Sequence, residues 1–163
     1  YLNKESDDIF PLLSKHFEQI AMAKVSASAL EAREMGYLKR DDVIIANPNE
    51  LLYVAKRQAL AMLESGFRSP LDDTFKVVGK AGYANIMAQV ANLFEGHFMS
   101  EHDKYCISSL AKVMTGSKVE ENTMVNSKMI LDLERKYFVE LLGTQKTQDR
   151  IEFMLRKSKP LRN

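Results

Sequence analysis

The sequence predicts an all-α fold: a helical bundle of about seven short helices with at most one very short extended segment. Three observations predict it. Apolar residues recur at three- and four-residue spacing in successive segments, the period of one helix face. Helix-start signals, a serine or asparagine three residues ahead of a glutamate or aspartate, precede several of those segments. Glycines at 36, 66, 96, 116 and 143 sit where a helix should stop. The segments between them share no pattern, so the chain is not a repeat protein.

Taken in order, Leu2 to Ser6 is a polar start. Asp7 or Asp8 caps a first helix, with Pro11 in its first turn, where a missing amide costs little. Phe10, Leu13, Phe17 and Ile20 form its apolar face, and it runs to about Ala23 or Lys24. Ser28 with Glu31 is a capping box, the glutamate reaching back to the amide of Ser28. The short helix it opens ends at Gly36 and is too small to stand alone. Arg40-Asp41-Asp42 is a turn and Val43-Ile44-Ile45 a short extended run. Asn47 with Glu50 is a second capping box, with Pro48 at the first helical position. Its helix points Leu52, Ala55, Ala59 and Leu63 inward and stops at Gly66.

The stretch from Arg68 to Asp73 is the linker, giving a helical unit over 1–68 and a second over 69–163. The second unit opens with a helix from Gly79 to Glu95 that carries Tyr83, Met87, Val90, Ala91 and Phe94. Ser100 with Asp103 caps the next, which presents Cys106, Leu110, Val113 and Met114 and ends at Gly116. Lys118 to Met124 reads as loop. Asn126 or Ser127 starts the strongest helix, with Ile130, Leu133, Tyr137 and Leu141 on one face. Thr144 caps the last, through Ile151, Met154 and Leu155, and Pro160 forbids its continuation.

With 45% hydrophobic and 28% charged residues among 163, the chain can bury a core and is not disordered. A net charge of +1 gives no global argument for nucleic acid. Its one cysteine, Cys106, excludes a disulfide within the chain and fits a reducing, cytoplasmic setting. No apolar run approaches the length of a bilayer span, so no transmembrane segment is expected.

His102 and Cys106 stand four apart on one helix and share a face, as a thiol–imidazole dyad or half a metal site would. Too few further ligands lie nearby, and capping and core packing explain both. His16 is expected to be solvated. Glu134 and Arg135 are adjacent on a helix, point different ways and read as ordinary ion-pairing groups. Met22, Met87, Met114, Met124, Met129 and Met154 fall at helical spacing and read as core before any acyl-facing lining. No catalytic and no metal-binding residue is assigned. The last twenty residues carry a net +4. Arg150, Arg156, Lys157, Lys159 and Arg162 there could meet phosphates of coenzyme A or acidic groups of a neighbouring domain.

Several stretches carry a family resemblance. Ser28-Ala29, Glu31-Ala32 and Gly36, then Val43-Ile44-Ile45, then Asn47 to Leu52, resemble the end of the crotonase (enoyl-CoA hydratase) fold. Ser100-Glu101-His102-Asp103 with Met114-Thr115-Gly116, then Leu131 to Arg135 with Phe138, then Lys146-Thr147-Gln148, Arg150-Ile151, Met154-Leu155 and Lys159 to Asn163, extend the likeness. Together they resemble the C-terminal region of the 3-hydroxyacyl-CoA dehydrogenase/enoyl-CoA hydratase family, in its dehydrogenase-first branch. Ser117 departs from the pattern, which has a second glycine there.

The resemblance implies a parent enzyme of fatty-acid β-oxidation that uses NAD and acyl-CoA. It also implies that this chain, which begins at Tyr1 and ends where the family ends, is a fragment holding no cofactor of its own. The dinucleotide-binding glycines, the dehydrogenase His–Glu pair and the hydratase glutamates belong upstream in the family and have no match here. The implied role is non-catalytic: packing, subunit contacts and part of the acyl-CoA pocket wall. The implied partners are the upstream domains of the same polypeptide, a second copy in a homo-oligomer, and a thiolase working with the parent. Without those upstream domains, Phe10, Leu13, Phe17 and Ile20 are expected to lie uncovered and to draw two copies together. A second reading, from another class, is a free-standing helical module that binds a partner helix.

Overall fold

A computed structural model of the chain describes residues 8–69 and 74–163. The expected polar start, the Asp7 cap and the Pro70–Asp73 part of the expected linker lie outside the described residues. Among those described there are seven α-helices, so the helical class is borne out. They are α1 (Phe10–Ala21), α2 (Ala29–Glu34), α3 (Leu51–Glu64), α4 (Gly79–Glu95), α5 (Glu101–Thr115), α6 (Ser127–Leu142) and α7 (Gln145–Lys157). Two four-residue strands accompany them, β1 (Thr74–Val77) and β2 (Thr123–Asn126). They pair antiparallel, with Thr74 opposite Asn126 and Val77 opposite Thr123. The expected extended run at Val43–Ile45 is irregular, and the stretch read as loop from Lys118 ends in β2 instead. Val43–Ile45 has no partner strand among the described residues, whereas β1 and β2 have each other.

The chain forms two compact units. One spans residues 24–69 of the described chain. The other contains 8–23 together with 74–163, so α1 belongs with the C-terminal helices. In the second unit α4 packs on α5, α5 on α6, and α1 on α5. Its core is Ile86, Val90 and Ala111, with Phe10, Leu13, Phe17, Tyr83, Met87, Met99 and Ile107 packed around it. This corrects the expectation that the first helix lies uncovered. Phe10, Leu13 and Phe17 are placed against α4 and α5 of their own chain, and only Ile20 of that set is largely exposed, at 46%.

In the first unit the Ser28 hydroxyl accepts the Glu31 amide at 3.1 Å, as a capping box requires. The Glu31 carboxylate reaches one residue further back than expected, to the Ala27 amide at 2.6 Å. The Asn47 side chain accepts the amide of Asn49, while its main-chain carbonyl accepts that of Glu50, and a single 3-10 turn, Pro48–Glu50, opens ahead of α3. Helix α3 buries none of its residues: Leu52 is 82% and Leu63 73% exposed, where both were expected inside. A six-residue helix and irregular chain supply too little surface to enclose it.

Candidate functional site

The polar groups that the chain brings together lie where α5 begins and α7 runs past it. Ser100 is extended backbone and its hydroxyl accepts the Asp103 amide at 3.1 Å. Asp103 Oδ2 in turn accepts the Ser100 amide at 3.1 Å, closing the capping box expected from sequence. The other carboxylate oxygen accepts from Arg150 Nη1 at 2.8 Å, across from α7. Arg150 also donates from Nε to Asn163 Oδ1 at 2.8 Å and from Nη2 to the Asn163 main-chain oxygen at 3.2 Å. Asn163 donates its side-chain amide to the Lys146 carbonyl at 3.3 Å. One guanidinium therefore fastens the start of α5, the body of α7 and the segment after it. Its planar fork of donors suits that task better than a lysine would.

In the same first turn of α5, His102 is buried and its Nε2 lies 2.9 Å from Thr147 Oγ1. Thr147 shares a 2.8 Å hydroxyl contact with Thr144. Burial, then the cations of Arg150 and Lys146, hold the imidazole below its ordinary pKa. Burial alone would push the Asp103 carboxyl up. The hydrogen bonds from Ser100 and Arg150 outweigh it and leave that carboxyl below its ordinary range. Cys106 is half-buried, and burial pushes its thiol up, away from the thiolate a nucleophile needs. His102 turns to Thr147 and no dyad with Cys106 is assembled.

The other sequence-predicted residues fall as follows. Arg156 pairs with Glu152 on its own helix at 2.6 Å. Lys157, Lys159 and Arg162 are exposed. Arg150, read as a contact for phosphate, is turned inward to Asp103 and Asn163. Arg135 pairs with Asp132 at 3.5 Å, and Glu134 is exposed. His16 is half-buried rather than solvated, its Nδ1 2.9 Å from Gln19 Oε1. Met87 packs on the core, while Met22, Met124 and Met154 are exposed. Thr144 stands at the start of α7 but donates its hydroxyl to the Leu141 carbonyl and caps no amide of that helix. Among the described residues, no group of three or more His, Cys, Asp or Glu side chains is placed to hold a metal ion. No helix described is long and apolar enough to cross a membrane.

A second feature was not legible in the sequence. An apolar pocket of about 440 Å³ is lined by residues at the start of α1, by those of strand β1 and by Met114 of α5. Its residues come from three separate stretches whose contact no local pattern announces.

Fold and cluster together define a helical packing unit whose polar side chains join helices to one another. Along its whole length the chain is similar to a probable 3-hydroxyacyl-CoA dehydrogenase of Bacillus subtilis (strain 168), with 42% identity over 165 aligned residues. The alignment takes in 100% of this chain and 21% of that protein, so the chain spans a small part of the curated relative it matches. No protein-family model and no solved structure matches it.

Proposed function

We propose that this chain is the non-catalytic C-terminal helical region of a fatty-acid β-oxidation enzyme, an NAD-dependent 3-hydroxyacyl-CoA dehydrogenase with a crotonase-like domain. The observation that carries the reading is the 42% identity, over the whole chain, to one small part of a probable dehydrogenase. The polar cluster supports a packing role, because Arg150 pairs with Asp103 and His102 with Thr147, which joins α5 to α7. In this reading the segment packs on upstream domains of the same polypeptide, contributes subunit contacts and forms part of the acyl-CoA pocket wall. Lys157, Lys159 and Arg162 face solvent and would meet coenzyme A phosphates or acidic groups of a neighbouring domain. Arg150 serves by positioning the segment that carries Arg162. A cytoplasmic, homo-oligomeric parent working with a thiolase belongs to the same proposal.

Steady-state kinetics of the full-length gene product test the cationic surface. Reversing Lys157, Lys159 and Arg162 to glutamate together is expected to raise KM for the acyl-CoA several-fold and leave kcat in place. An unchanged KM in a folded variant would remove coenzyme A from the role of those residues.

The uncovered apolar residues of α3 favour the second reading, a free-standing helical module that binds a partner helix. In that case the gene encodes this helical chain without a dehydrogenase.

A further inference from the structure

Three helices and a loop of the second unit bring lysines to one recess. Lys80 comes from α4, Lys112 from α5, Lys118 from the loop that follows and Lys136 from α6. The recess holds about 410 Å³, a volume within the range of small-molecule sites. Tyr137 is buried in its wall, with the Lys112 and Lys136 ammoniums each 5.2 Å from the ring centroid. Two like charges thus share one ring, whose quadrupole offsets only part of their repulsion. Lys80 pairs with Glu120. Lys112, Lys118 and Lys136 form no ion pair among the described residues, and Glu140, which also lines the recess, reaches none of them. Cationic charge gathered in a concavity without counter-charges focuses a positive potential there. Two hydroxyls join the lining, Ser117 Oγ and Tyr137 Oη, 3.3 Å apart. Ser117 has φ +64°, a conformation that is unfavourable with a Cβ and open to glycine. That strain falls on a residue whose hydroxyl lines the recess.

From this we infer that the recess binds a small oxyanion carrying two or more negative charges, of the phosphate or polycarboxylate class. The ammoniums of Lys112, Lys118 and Lys136 supply the charge, and the hydroxyls of Ser117 and Tyr137 supply further donors. Several cations answered by one ligand favour a polyvalent anion over a monovalent one. A nucleic acid or a membrane fits less well, because the surrounding surface is not uniformly basic. A second recess along α6 shares Lys136, and there Lys128 is already paired with Asp132 at 2.6 Å. Glu120 and Glu140, both exposed, would also face a flat polyanion. The inference goes beyond the proposed function, which gives these lysines no role, and it needs only the fold of the second unit.

Calorimetric titration of the 163-residue chain with pyrophosphate, citrate and acetate, at constant ionic strength, tests it. Saturable one-to-one binding of pyrophosphate or citrate is expected, at least about tenfold tighter than acetate. The tighter of the two distinguishes a phosphate from a carboxylate ligand. Lys112→Gln and Lys136→Gln are each expected to weaken that anion by about three-fold to tenfold, and Ser117→Gly by about three-fold. Lys128→Gln is expected to leave it unchanged, since that ammonium is paired with Asp132. Circular dichroism and melting check the fold of each variant. Lys136 is exposed, so its variant serves if Lys112→Gln fails to fold. No saturable binding of either polyvalent anion, or acetate bound as tightly, would overturn the inference. So would binding unmoved in a folded Lys136→Gln variant, or an equal loss in Lys128→Gln.

Discussion

Arg150 reaches across 47 residues to place Nη1 2.8 Å from Asp103 Oδ1, on the carboxylate whose second oxygen closes the α5 capping box. The Asp103 carboxylate thus accepts the Ser100 amide at the start of one helix and the Arg150 guanidinium of another. Both partners are only about one-fifth exposed, at 21% and 19%, so solvent screens the pair less than a surface bridge. Arg150→Ala and Asp103→Ala are each expected to cost about 2 kcal/mol. The double variant should cost less than the two summed, by about 1 kcal/mol or more. Denaturant unfolding of the four proteins measures it, and strictly additive costs would mean that the pair is not coupled.

Acid should weaken the second unit in two stages. His102 is held below its ordinary pKa, so the unfolded chain binds a proton more readily than the folded one. The stability from its neutral form is therefore complete above about pH 6.5 and is lost as pH falls through the lowered folded value. Asp103 is also held low, so its contribution is present above the ordinary carboxylate range and is lost only as pH falls further. His102→Gln should remove the upper stage and keep the lower. Melting temperature followed from neutral to acid pH, in wild type and variant, checks this. A wild-type curve flat between neutral pH and the carboxylate range would contradict the His102 account.

Of the four glycines at positive φ among the described residues, Gly79 and Gly116 are also closely packed. At Gly79, φ is +54° and an added Cβ would meet the Val119 carbonyl oxygen at 2.3 Å. At Gly116, φ is +80° and the nearest atom is Val77 Cγ2 at 2.8 Å, a side chain that can shift. Gly79→Ala is expected to cost about 3 kcal/mol or more, and Gly116→Ala about 1–2 kcal/mol. Ser117 has φ +64° and a 3.3 Å hydroxyl contact with Tyr137. Ser117→Gly relieves the first, loses the second and frees the unfolded chain, so it should be neutral within about 0.5 kcal/mol. Thermal unfolding ranks the three.

Helix α1 is part of the second unit's core, so Phe17→Asp should destabilise that unit by about 3 kcal/mol and not merely alter association. Light scattering beside denaturant unfolding separates the two effects. A variant that unfolds like wild type but changes its mass would mean that the α1 face is an interface between copies.

Much of the fold was legible because helices announce themselves locally. Ser28, Ser100 and Asn126 each accept the amide three residues on, and Tyr137 is the buried member of the α6 face read from spacing. What escaped depends on distant surfaces. Ile86 and Ala111 are the most buried apolar side chains, yet each sits in an apolar run where periodicity does not choose among neighbours. Strands β1 and β2 stabilise each other across 45 intervening residues, and neither is persuasive alone. Leu52 and Leu63 show the opposite failure, since their spacing is that of a buried face and their exposure is not. At the candidate site, the Ser100–Asp103 box was local and readable, whereas Arg150 could be seen only as a cation. Its use was decided by Asp103 and Asn163, far away in sequence.

The claim that this chain is a non-catalytic part of a dehydrogenase is tested most directly by NADH formation from a 3-hydroxyacyl-CoA. The assay compares the purified 163-residue chain with the full-length product of the gene that encodes it. The account predicts turnover by the full-length protein and none by the chain alone. Turnover by the isolated chain, or none by a folded full-length protein with NAD present, would contradict it.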